Sequence, residues 1–277
     1  MKIIGIGDNV FDFYRYRQEL YPGGNSVNVP VLARRYDGSE AAYIGVLADD
    51  REGRYFRDAL AGEGVDVSRV RVAHGISAKN YIELDDSGDR HFVGNNGEEV
   101  VQFQTALSLN SVDYRKLKEY DVVHTSIHSR LDAFHQPISR LVPLSLDFSD
   151  SYNRVNMARC CPFLRFAFFS GGQKGEDEVR ALARSACEAG TRTAVVTMGV
   201  RGSYLLEEGR EHRQKSCPAD VVDALGAGDA FIAGFLAEYT ATRGDLAASA
   251  EAASEYAAKN CGHYGAFGLP LREDSND

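Results

Sequence analysis

The segment DALGAGDAF, residues 223 to 231, sets Gly226, Ala227 and Gly228 between two carboxylates, Asp223 and Asp229, just ahead of a strongly apolar run. A Gly-Ala-Gly turn leaves its backbone N–H groups uncovered. If a helix starts there, its unpaired amides and positive dipole end converge on one place and make an anion site. Asp229 at its rim reads in two ways. It is either a helix N-cap, worth about 1 kcal/mol, or a base that takes a proton from a hydroxyl attacking a bound phosphoryl group. Asp223 orients the loop or a metal-bound water, or caps the end of a strand.

Two other phosphate loops fail against the letters. No GxxxxGK[ST] occurs, which excludes P-loop nucleotidases. Gly5 and Gly7 supply two glycines of GxGxxG, but Val10 stands where the third belongs. With 31 basic and 40 acidic residues the formal net charge is −9, which argues against nucleic acid or an anionic membrane as partner. Any anion must therefore be held locally. Five cysteines at irregular spacing predict free thiols in a reducing, cytoplasmic setting, and no metal-ligand set is expected. No apolar run reaches the roughly 20 residues of a membrane helix. His124 and His128 stand four apart without completing a metal motif.

The elements that must position these groups alternate. KIIGIG (2–7) reads as a buried strand, residues 26–36 as a helix with Ser26 at its cap, AAYIGVL as a strand and REGRYFRDALAGEGV as a helix. Strand-then-helix repetition predicts a parallel α/β sheet. From about 66 to 95 the rhythm breaks into short alternating segments split by Gly75, Gly88 and Gly94, which predict hairpins forming a flap. Alternation resumes with YDVVHTSI, PLSLDFS, FAFFS, TAVVTMG and GSYLLEE. From Asp229 to Asn260 the chain reads as two or more helices, and REDSND as a frayed acidic tail.

DALGAGDAF resembles the signature of the ribokinase-like (PfkB) family of carbohydrate and nucleoside kinases. Two further motifs fit in order and spacing: GGNSVNV, with Gly23, Gly24 and Asn28, and the TxGxxG turn Thr197 to Gly202. The resemblance implies one domain over residues 1–277, a three-layer α/β/α sandwich with a small β-sheet lid from about 10–22 and 66–97. It makes Asp229 the base, placed by the turn Gly226, Ala227 and Gly228, and the amides of Ala227, Gly228 and Asp229 the anion hole. It assigns Asp12, Gly24 and Asn28 to the sugar, with Asp8, Phe92 and His124 as further contacts, although Asn28 also reads as a helix-surface or capping residue. Thr197, Gly199, Gly202, Asp223, Gly228 and Asn260 fall to the nucleotide. ATP and Mg²⁺ are the implied cofactors. Yet Ser170-Gly171-Gly172-Gln173 stands where many members carry NxxE, so no protein ligand to the metal is assigned.

Within the family, GDNVFDFY, SVNV, LDFSD and VVHTSIH resemble the branch acting on fructosamines such as fructoselysine, through a primary hydroxyl. A kinase for fructose, another sugar or a nucleoside is the alternative inside the class, and a silent sugar-binding relative the alternative outside it. The exposed edges of a lid sheet predict a homodimer.

Overall fold

Apolar runs of four to six residues, each ending near glycine or a helix-capping side chain, predict strands buried on both faces. The computed structural model describes residues 1–84 and 90–272. Among these, an eight-stranded sheet runs in the order Arg210–Gln214, Ser203–Glu207, Thr193–Thr197, Phe166–Ser170, Leu144–Asp147, Val122–Ser126, Lys2–Ile6, Glu40–Ile44. Pairing is parallel from Thr193–Thr197 to Glu40–Ile44, and the other two strands extend one edge antiparallel. The strand Arg210–Gln214 escapes the sequence reading because its residues, REHRQ, carry no apolar alternation.

Side chains along these strands alternate between two cores. Ile3, Tyr43, Phe168 and Val195 join Val27, Val31, Phe231, Phe235 and Ala250 from the helices Asn25–Asp37, Ala227–Ala241 and Leu246–Asn260. Ile4, Ile44, Phe169 and Val196 join Ile138, Met157 and Val179 from the helices Asp132–Ser139, Arg154–Cys160 and Glu176–Glu188. The result is the expected α/β/α sandwich. No helix among the described residues is long and apolar enough to cross a membrane.

One close approach seats the first helix. Pro30, buried inside Asn25–Asp37, has no amide to offer the Ser26 carbonyl. A Cβ built on Gly5 would lie 1.8 Å from that oxygen, so only glycine lets the helix rest on strand Lys2–Ile6. The helix starts at Asn25 behind Gly24, one turn before Asn28, and Ser26 lies inside it rather than capping it.

A second sheet has the order Leu271–Arg272, Glu19–Gly23, Val10–Tyr14, Lys79–Leu84, Arg90–Asn95. Lys79–Leu84 and Arg90–Asn95 form the antiparallel pair expected of a hairpin. The segment at 66–74 does not join them. Arg71–Ala73 pairs in parallel with Val46–Ala48, because Tyr43 N–H donates to the Asp66 carbonyl (3.0 Å) and Arg71 N–H to that of Gly45 (2.9 Å), holding the segment against the main body. Residues 85–89 of the expected lid and 273–277 of the acidic tail lie outside the described residues. Leu271–Arg272 pairs with Glu19–Gly23, an addition to the expected sheet.

Candidate active site

A cavity of about 650 Å³ opens between the carboxyl edge of the main sheet and the second sheet. Asp8, Asp12, Gly24, Asn28, Phe92 and Asp229 all line it, brought together from five separate elements. Asp8 follows the first strand, and its Oδ1 accepts from three hydroxyls: Ser26 (2.7 Å), Ser126 (2.6 Å) and Ser129 (2.8 Å). One carboxylate thus ties together the first helix, a strand end and the loop after it. Asp12, on Val10–Tyr14, accepts from Asn80 Nδ2 at 3.2 Å and is 5% exposed.

The glycine turn behaves as its composition demands. Gly226 has φ +79, and a Cβ there would meet Ala266 Cα at 2.5 Å, so the turn lies directly against the 261–266 segment. The helix begins at Ala227. Ala227 N–H is taken by the Ala224 carbonyl (3.2 Å), while the amides of Gly228 and Asp229 have no partner among the described residues. The expected hole of three amides is therefore two, with Gly228 exposed to solvent.

Asp229 lies in the first turn but caps nothing. Its Oδ2 accepts from Asn28 Nδ2 at 2.8 Å, and its Oδ1 is buried without a partner among the described residues, as is Asn28 Oδ1. Burial, reinforced by Asp147, pushes the Asp229 carboxyl up to about 8. Desolvation together with the charges of Asp147, Asp8 and Asp12 outweighs the positive end of the helix dipole, which favours the ionised form. Asp147 is itself buried and raised to about 6 by desolvation; it accepts from Ser149 N–H (2.8 Å) and from the Asn25 amide.

Two expected residues stand elsewhere. His124 is fully buried in Val122–Ser126, with Nδ1 on Ser145 Oγ at 2.9 Å, and desolvation lowers it to about 3. It points into the strand layers. His128, four residues on, lines the cavity instead. Asn260 is 4% exposed, and its Nδ2 donates to the Ala266 carbonyl at 3.0 Å, so its amide closes the 261–266 turn rather than reaching a ligand. Asp223 braces the same turn: it is fully buried and accepts from Leu225 N–H (2.6 Å), Gly265 N–H (3.0 Å) and the Tyr14 hydroxyl. Of its sequence readings, loop orientation fits.

Other cavity residues gave no signal in the letters. Arg130, at φ +55, lays its guanidinium 4.1 Å from the Phe103 ring centroid, and both line the cavity. Gln102 donates to the Asn9 carbonyl at 2.8 Å and leaves its own Oε1 buried and unpaired among the described residues.

Residues 13–137 and 166–272 match the profile described as pfkB family carbohydrate kinase. The chain belongs to this family. The kinase is 39% identical to fructosamine kinase FrlD of Bacillus subtilis over 97% of its own length and 93% of the relative's. It is 38% identical to fructoselysine 6-kinase of Escherichia coli over 85% and 88%. Its fold is similar to Arabidopsis thaliana ribokinase complexed with ribose and ATP (TM-score 0.80, 17% identity, 96% and 94% covered). It is likewise similar to aminoimidazole riboside kinase of Salmonella enterica (TM-score 0.75, 23% identity, 96% and 95% covered).

On the far side of the glycine turn, Thr197 ends the strand Thr193–Thr197 and donates to the Phe169 carbonyl at 3.3 Å. Gly199 to Arg201 form a short 3₁₀ turn, closed where Met198 N–H donates to the Gly202 carbonyl at 2.7 Å. A divalent cation finds no fit at Ser170 to Gln173 in this kinase. Arg201 Nη2 donates to the carbonyls of Gly171 (3.2 Å), Gly172 (3.0 Å) and Lys174 (2.7 Å), so a guanidinium crowns that turn. Glu176, at the start of the helix that follows, is paired with Arg213 (2.7 Å).

Proposed function

We propose that this kinase transfers the γ-phosphoryl group of ATP to a primary hydroxyl, the 6-hydroxyl, of a fructosamine such as fructoselysine. The observation that carries the reading is the buried, unpaired Oδ1 of Asp229 in a cavity that also receives Asp12 and Asn28. Asp229 takes the hydroxyl proton as the oxygen attacks phosphorus. The new O–P bond forms as the bond to the bridging oxygen breaks, and ADP leaves. The Gly228 and Asp229 amides stabilise charge on the phosphoryl oxygens, where fixed dipoles act without reorganising. Asn28 Nδ2 holds the base in place while its free Oδ1 and Asp12 grip sugar hydroxyls beside Gly24. Thr197, Gly199 and Gly202 line the nucleotide side.

The charge layout supports a zwitterionic substrate. Asp8, Asp12 and Asp229 line the cavity, which suits the protonated secondary amine of a fructosamine. At the rim, Arg130 offers a guanidinium to the carboxylate of the amino-acid portion, and Phe92, 62% exposed, covers the opening. The identities to a fructosamine kinase and a fructoselysine 6-kinase support the same substrate class. The five free cysteines fit a cytoplasmic setting, and the exposed edge strand Arg90–Asn95, with Val93 half exposed, suits a homodimer.

The test is an ATP-coupled assay on fructoselysine and on fructose. We expect kcat/KM for fructoselysine to exceed that for fructose by about 10² or more, equivalent to roughly 2.7 kcal/mol of transition-state binding. In Arg130→Ala the ratio should shrink through the fructoselysine arm alone. Equal constants for both sugars would remove the fructosamine reading and leave the kinase intact.

A further inference from the structure

On the face opposite the glycine turn, the helices Asp132–Ser139 and Arg154–Cys160 bring three ligand-type side chains together. Asp132 and His135, one turn apart, share a helix face, and Cys160 ends the other helix. A carboxylate oxygen, an imidazole nitrogen and the Cys160 sulfur all lie within 4.8 Å of one another. Sγ already reaches Asp132 Oδ1 at 3.4 Å. The histidine is the telling member: it is 1% exposed, and neither Nδ1 nor Nε2 has a hydrogen-bond partner among the described residues. A buried imidazole left unpaired is costly, so the site lacks a partner that its chemistry requires.

We propose that Asp132, His135 and Cys160 bind a soft divalent cation, Zn²⁺, at a site separate from the catalytic cavity. The donor set of one thiolate, one neutral imidazole and one carboxylate suits zinc and disfavours Mg²⁺, which takes oxygen ligands. On binding, the Cys160 S–H bond breaks, its proton passes to solvent, and the thiolate pair is donated to the metal. Three protein ligands leave a fourth position for water. The route in is through Asp132, whose side chain is 35% exposed in a surface depression of about 570 Å³. Arg159, 3.0 Å from the other Asp132 oxygen and 56% exposed, can stay on that oxygen or swing away. Arg130 lines both this depression and the catalytic cavity, so the two sites share a wall.

No sequence motif marks this site, because the third ligand comes from another helix. Titration of the full chain with Co²⁺, without nucleotide, tests it. The expected result is one equivalent bound, with near-ultraviolet thiolate-to-cobalt absorption that Zn²⁺ displaces. That absorption should vanish in Cys160→Ser and persist in Cys217→Ser, whose thiol lies outside the cluster. Asp132→Asn, a change at a partly exposed position, should weaken binding about tenfold or more without disturbing the fold. Absence of the band in the natural chain, or unchanged cobalt affinity in Asp132→Asn, overturns the proposal.

Discussion

Asp229 carries opposite demands for catalysis and stability. Its carboxyl titrates near 8 in the folded chain, far above an exposed aspartate, so the folded state binds its proton more tightly than the unfolded chain. The sign follows directly. The stabilising contribution is complete at pH below the unfolded value and is lost as pH rises through about 8. Asp229→Asn, which never ionises, should therefore be more stable than the natural chain at pH 8, by on the order of 1 kcal/mol or more, with the difference closing toward pH 4 in urea unfolding. Turnover should fall by about 10² or more in the same variant, and kcat/KM of the natural enzyme should decline as pH drops below about 8. Near-normal turnover in Asp229→Asn would remove it from the mechanism. The letters single out Asp229 by its type and place beside the glycine turn, and Asn28 through the family resemblance. They cannot reveal the raised titration, which depends on burial of the carboxyl and on Asp147 arriving from a distant strand, nor that His124 faces inward while His128 faces the cavity.

We propose that the second sheet closes over the sugar as a lid and contributes to specificity. We expect amide hydrogen exchange in Lys79–Leu84 and Arg90–Asn95 to slow when fructosamine and nucleotide bind together, as the sheet closes and excludes water. Unchanged exchange at saturation would make these strands scaffold only. Their pairing is readable in the alternation of RHFVGN and its neighbours. The placement of Arg71–Ala73 is not: the same alternation serves a hairpin or a parallel partner, and only the bonds from Tyr43 and Arg71 decide. The start of the first helix is equally hidden, since Ser26 is a good capping residue by type and Gly24 takes the position instead. Gly5 belongs to the same class, a residue whose importance lies wholly in what packs above it.

For the whole molecule, the edge strand Arg90–Asn95 predicts self-association. Sedimentation velocity should give a mass near two chains, and Phe92→Asp with Val93→Asp should return it to one; a monomer in the natural chain would retire the dimer. Fold class was legible, because short apolar runs buried on both faces and alternating with helices leave few folds other than a parallel α/β sandwich. The second sheet has a consequence in time as well as space. Its strands come from residues 10–14, 19–23, 79–84, 90–95 and 271–272, and Asn28 meets Asp229 across 201 positions of sequence. Contacts so distant are slow to close and form late. On the ribosome the cavity cannot be completed until Asp229 has emerged, so in refolding the return of activity should lag behind far-ultraviolet circular dichroism.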